Sequence, residues 1–159
     1  MENKVIVCFL LRRINVEEVK EFVDEIKIRE MFNILDEKHG YDTKKVPIEI
    51  NRDVNDKFAM LEVVRDTLEP LKFVFCNPSL YIIDEYHLWE VVKHEYAHYI
   101  DICINKSDVE EPHGATFREL SYELGFWVIT EEEANTLSEL VLCEYKNYCI
   151  DALIKKYFD

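Results

Sequence analysis

The residues with the clearest capacity for chemistry are His94-Glu95-Tyr96-Ala97-His98. Four residues along an α-helix advance about 400°, which brings two imidazoles to within about 40° of each other on one face. Imidazoles so placed can share one tetrahedral ion at bond lengths of about 2.0–2.1 Å. Glu95, beside the first of them, is near enough to exchange a proton with a water on that ion without taking a coordination position. This is the arrangement that metal-assisted hydrolysis requires.

A catalytic zinc needs a third protein ligand and an open fourth position. The stretch Glu110-Glu111-Pro112-His113-Gly114-Ala115-Thr116-Phe117 offers His113. Pro112 discourages helix before it, and Gly114 allows a sharp turn, so His113 is expected at the mouth of a helix, facing the first pair. The expected site is therefore His94, His98 and His113 as ligands to one Zn2+, with Glu95 as general base. The segment Glu131-Glu132-Glu133-Ala134-Asn135 resembles the one that supplies a glutamate ligand in ImmA/IrrE-type metallopeptidases, which implies Glu131 as a competing third ligand with Asn135, one turn on, in support. The plainer reading of that triplet is a helix cap with favourable dipole electrostatics.

Other residues have smaller claims. His87, seven positions before His94, can share its face. Glu90 and Asp101 can accept bonds from ligand imidazoles, though surface charge is the plainer reading of each. Tyr96, Tyr99 and Tyr122 are possible oxyanion donors, and Phe117, Leu120, Leu124 and Trp127 are expected to wall the metal from behind.

These residues need a scaffold. The apolar pattern Leu88, Trp89, Val91, Val92 and Ile100 predicts a helix from about Asp84 to Cys103. A second runs from Gly114 to Leu124 and is stopped by Gly125. Thr130-Glu131-Glu132-Glu133 is a capping box opening a third over about 131–157. Upstream, Asn15 followed by Val16-Glu17-Glu18 reads as a helix start, with Val19, Phe22, Val23, Ile26, Met31, Ile34 and Leu35 as its apolar face and Gly40 as its stop. Val46–Ile50, Phe58–Val64 and Leu71–Phe75 are short β-type stretches, closed by Asn77-Pro78. The expected fold class is α+β: a small, about three-stranded antiparallel sheet with a histidine-bearing helix and flanking helices.

The motifs carry a family resemblance. Asn77-Pro78-Ser79-Leu80, Glu90-Val91-Val92-Lys93, His94-Glu95-x-Ala97-His98 and Pro112-His113-Gly114-x-x-Phe117 resemble the SprT-like zinc metalloproteases over residues 70–125. In that family three histidines bind zinc and the glutamate is the general base, so the resemblance implies a zincin-like endopeptidase acting on a protein substrate, with DNA-associated proteins among the candidates. Many members end in a four-cysteine zinc ribbon. Here a long helix stands in its place, and Cys143 and Cys149 lie about 240° apart around it, so one zinc is expected. The Glu131 alternative resembles ImmA/IrrE-type metallopeptidases, and a third reading is a catalytically silent, zinc-stabilised interaction module.

Composition bounds the rest. The chain has 159 residues, 48% hydrophobic, with three glycines and four prolines, which suits a single domain over 1–159 and argues against disorder and linker-rich designs. Nineteen basic against 33 acidic residues give a net charge of −14. Such a field repels phosphate, disfavours direct nucleic-acid binding, and steers basic protein substrates inward. The apolar run Val5–Leu11 is too short for a membrane span, and no cleavage-site pattern follows it. Five cysteines, Cys8, Cys76, Cys103, Cys143 and Cys149, form no C-x-x-C pair and are expected to be reduced and mostly buried in a cytoplasmic protein.

Overall fold

A computed structural model describes residues 21–158. The first helix, α1, spans Glu25–His39. It begins where the Asp24 carboxylate accepts from the Lys27 N–H at 2.9 Å, and it ends at Gly40, whose φ of 78° places it in the left-handed region with its N–H on the Asp36 carbonyl. The expected start at Asn15 lies outside the described residues. Phe22 and Val23 are not helical; both donate backbone N–H bonds to the Leu80 carbonyl. The Asp24 cap therefore sets a different phase from the one expected. Ile28, Met31, Phe32 and Leu35 are buried at i, i+3, i+4, i+7 spacing, while Ile26 and Ile34 face solvent.

Three strands follow: β1 (Ile48–Asn51), β2 (Ala59–Val63) and β3 (Pro70–Cys76). Their order is β1-β3-β2. β2 pairs antiparallel with β3, but β1 pairs parallel with it, so the sheet is mixed rather than antiparallel. The reason lies in the connections. β2 and β3 are joined by a short hairpin, closed by Val64 N–H to the Glu69 carbonyl and Leu68 N–H to the Val64 carbonyl. β1 instead reaches the far edge of β3 without a hairpin, and nothing forces antiparallel pairing there. β3 is central, and its Phe73-Val74-Phe75-Cys76 run is buried without alternation, as a strand covered on both faces must be.

Helix α2 (Asn77–Leu80) closes the sheet. The Ser79 hydroxyl donates to the Phe58 carbonyl and the Asn77 N–H to the Val54 carbonyl. Helix α3 (Glu85–His98) starts at the Asp84 cap and passes directly into a π-helical turn, Tyr99–Ile104. α1, α3 and β3 meet at Phe32, which stacks on Phe73 at 4.3 Å between centroids and lies 6.2 Å from Phe75 and 6.3 Å from Tyr96. Helix α4 (Ala115–Leu124) packs on α3 and ends at Gly125, φ 70°. Helix α5 (Glu131–Phe158) opens with the expected capping box: the Glu133 carboxylate accepts from Thr130 N–H at 2.8 Å and the Thr130 hydroxyl accepts from Glu133 N–H at 3.2 Å. It rests on α2 and on Phe22, whose ring meets Tyr145 and Tyr148 edge-on. Among the described residues no helix is long and apolar enough to cross a membrane.

Candidate metal centre

α3 presents His94 and His98 on one face, as their spacing requires, with Nε2 atoms 3.1 Å apart. His113 comes from the loop before α4, its Nε2 lying 3.2 Å from that of His94. Nitrogens bonded to one tetrahedral ion at about 2.0–2.1 Å lie about 3.3–3.4 Å apart, so the observed separations fit a shared cation. Hydrogen bonding alone satisfies the group poorly. The Nε2 of a neutral imidazole offers either one N–H or one lone pair, yet that of His94 faces two neighbours.

All three imidazoles are held below their ordinary range, which keeps them neutral and able to ligate. Burial pushes His94 down to about 3, with the nearby His113 adding to the effect. Burial, then His94 and His113, pushes His98 down to about 2. His113, on the exposed side, is lowered by its partial burial.

Phe117 forms the wall behind the cluster, with ring centroids 4.4 Å from His98, 4.8 Å from His113 and 5.0 Å from His94. Leu120 and Leu124 are buried in the same layer. Trp127 is not part of that wall: it is 78% exposed. Phe126 takes its place, 5.7 Å from His94 and 5.8 Å from Phe117. The Phe126 N–H bonds to the Ser121 carbonyl at 3.0 Å, the six-to-one bond of a Schellman motif, which turns the residue after Gly125 back onto the helix. Leu124-Gly125-Phe126 was the sequence signal for this.

Glu95 is 3% exposed and stands outside the nitrogen cluster. Burial pushes its carboxyl up to about 8, opposed by the Leu61 N–H of β2, and its Oε2 has no hydrogen-bond partner among the described residues. Gly114 relieves crowding rather than supplying the expected sharp turn. Its φ is −67°, which any residue adopts, but a Cβ there would meet the Glu111 carbonyl oxygen at 3.2 Å.

The remaining candidates go elsewhere. Glu131 sits in the exposed first turn of α5, outside the three-histidine group. His87 pairs with Asp84 at 3.1 Å at the start of α3. The Glu90 Oε2 accepts from the Trp127 N–H at 2.9 Å, the Asp101 carboxylate accepts from the Ser107 hydroxyl at 2.6 Å, and among the described residues neither carboxylate bonds to an imidazole. Tyr96 is fully buried beside Asp36, Tyr99 donates to the Asp42 carbonyl at 3.0 Å, and Tyr122 is 90% exposed. None of these tyrosines is presented to the cluster. Cys76 and Cys103 are buried, but Cys143 is exposed and Cys149 half-buried, so the expected burial fails for these two; all four are free thiols.

Fold and site together define an α+β chain with a three-histidine group able to hold a metal ion. Set against family models, curated proteins and solved structures, the chain matches none.

Proposed function

We propose that this chain is a zinc-dependent metalloendopeptidase of SprT-like type. The observation that carries the reading is the convergence of three imidazole nitrogens, two of them on the helix that also carries Glu95, a buried carboxyl with an unpartnered oxygen. His94, His98 and His113 would hold the ion, which when bound supplies Lewis-acid polarisation of a carbonyl and a lowered pKa for water. Glu95 then serves as proton carrier: its Oε2 takes a proton from the attacking water and returns it to the departing amine. Phe117 and Phe126 exclude water from the inner side of the imidazoles and hold their rings in place. The motif resemblance over residues 70–125 supplies the choice of a peptide bond, since the residues by themselves argue only for hydrolysis assisted by a metal.

The net charge of −14 favours basic protein substrates through long-range attraction, and added salt should slow their cleavage. The deciding comparison is zinc-loaded wild type against Glu95→Gln on an unfolded, lysine-rich protein. The variant should retain one zinc per chain while cleavage falls by about 10²–10⁴-fold. Equal cleavage by the two proteins defeats the reading. Zinc-dependent folding with no cleavage by either protein identifies the catalytically silent module instead.

A further inference from the structure

We propose that Asp101 and Ser107 form a buried latch that positions His113, so that the affinity of the metal site is governed in part by a contact that touches no ligand. The inference rests on the three-histidine reading above but not on hydrolysis.

The latch follows from how the chain leaves α3. After His98 the helix widens into the π-helical turn, closed by Asn105 N–H to the Ile100 carbonyl at 2.9 Å. π-Helical segments inside α-helices recur at functional sites. Lys106 then adopts a φ of 59°, in the left-handed region that non-glycine residues rarely occupy. That residue reverses the chain, and Ser107 returns to Asp101 with two bonds: its N–H reaches the Asp101 carbonyl at 3.1 Å and its hydroxyl reaches the carboxylate at 2.6 Å. Asp101 is 1% exposed and Ser107 half-buried, so this hydrogen bond to a carboxylate is made in a site partly shielded from water.

From Ser107 to His113 the chain has no regular helix or strand, and its path is set by a relay of local bonds. The Asp108 carboxylate accepts from Glu110 N–H at 2.9 Å, the Asp108 carbonyl from Glu111 N–H at 3.2 Å, and the Glu111 carbonyl from Gly114 N–H at 3.0 Å. The other polar ties holding this loop are exposed. Lys106 Nζ donates to the Thr67 carbonyl at 3.2 Å, and Arg65 pairs with Glu110, both at the surface. Exposed ties of this kind contribute little. Val109 adds a half-buried apolar contact. The buried polar anchor of the loop is therefore Asp101–Ser107, on the helix that bears the other two imidazoles. It fixes the third ligand relative to the first two. Asp101 is a positioning residue, acting through the backbone rather than on a ring nitrogen.

The test is a zinc affinity measured on the full chain by competition with a chromophoric chelator. Ser107→Ala should weaken zinc binding about tenfold, the lower end of what outer-shell partners contribute to metal sites. Ser107→Thr, which keeps the hydroxyl, should restore most of the loss. The same Ser107→Ala change in a His113→Ala background should produce no further weakening, because the ligand it positions is gone. A general structural role would weaken both backgrounds alike. Wild-type affinity in Ser107→Ala, or equal losses with and without His113, overturns the proposal. If Ser107→Ala does not fold, Asp101→Asn carries the test: it keeps an acceptor but loses the charge, and should weaken zinc binding about threefold in the native background alone. A wild type that binds no zinc defeats the three-histidine reading itself, a result distinct from failure of the latch.

Discussion

Glu95→Gln should make the metal-free protein more stable, and the gain should grow with pH. The carboxyl ordinarily titrates at 4.5, and burial raises it to about 8 in the fold. Below 4.5 both folded and unfolded chains keep the proton, so ionisation of Glu95 costs nothing. Between 4.5 and about 8 the unfolded chain releases the proton while the folded chain retains it. The native state then binds more protons than the unfolded state, and stability falls as pH rises, by about 1.4 kcal/mol per pH unit. Across the whole interval the handicap reaches about 5 kcal/mol, a large share of the 5–15 kcal/mol that a domain usually has. Glutamine has the same shape and no proton to lose, so the variant escapes this slope. Its amide nitrogen has no obvious partner, which adds a constant cost but no pH dependence. The assay is urea unfolding of chelator-treated wild type and variant at several pH values from 5 to 8.5. The difference in unfolding free energy should move in the variant's favour by a few kcal/mol over that range, and saturating zinc should flatten it, because a neighbouring cation favours the carboxylate. Parallel pH curves for the two proteins would refute the claim that burial of Glu95 outweighs the bond it accepts from the Leu61 N–H.

The imidazoles should show the opposite slope. In the metal-free Glu95→Gln protein, His94 and His98 stay neutral in the fold down to about 3 and about 2, against an ordinary 6.5. Unfolded chains therefore bind the extra protons, and stability should fall by about 1.4 kcal/mol per pH unit for each imidazole as pH drops below 6.5, read by urea unfolding at pH 7 and pH 5; a flat profile sinks the claim. His113→Ala should remove stoichiometric zinc after dialysis, whereas Glu131→Ala should keep it, both measured by elemental analysis; the reverse outcome assigns the third ligand to Glu131. Phe32→Ala should cost about 3–5 kcal/mol in unfolding free energy, because the ring is fully buried between Phe73, Phe75 and Tyr96; a loss under 1 kcal/mol would mean that the core is not closed around it.

Features governed by local chemistry were legible in the chain, and features governed by distant partners were not. The stops at Gly40 and Gly125 and the Thr130–Glu133 box are local, and each appears where the residues place it. The strand positions also follow from short β-branched and aromatic stretches. The parallel pairing of β1 with β3 does not, because period-2 patterning carries no direction. The expected helix does not run unbroken through residues 21–24, although Phe22, Val23 and Ile26 continue an apolar series that helical spacing alone cannot interrupt. What interrupts it is the Asp24 cap together with the Leu80 carbonyl, which takes both the Phe22 and Val23 N–H groups.

The same division explains the site. His94 and His98 are one helical turn apart, so their convergence needs no tertiary information, and the Pro112-His113-Gly114 context was enough to single out the third imidazole. Glu90 and Asp101 were misjudged in the same way. Surface charge is the plainer reading of both, with acceptance from ring nitrogens as the alternative, yet both bond to chain that arrives from elsewhere: Glu90 to the Trp127 N–H and Asp101 to the Ser107 N–H and hydroxyl through its carbonyl and carboxylate. Each carboxylate thus ties a loop back to α3 or its π-helical extension. One loop delivers Phe126 to the wall against His94, and the other delivers His113. A metal site assembled from one helix and two loops needs such ties, since a cation constrains only the atoms that bind it, and the loops must already be near their bound positions for affinity to be high. The acidic residues of this segment therefore divide by what they face: Glu90, through its Oε2, and Asp101 each tie a loop back to the histidine-bearing segment, while Glu95 meets the Leu61 N–H of β2 and leaves its Oε2 unpartnered.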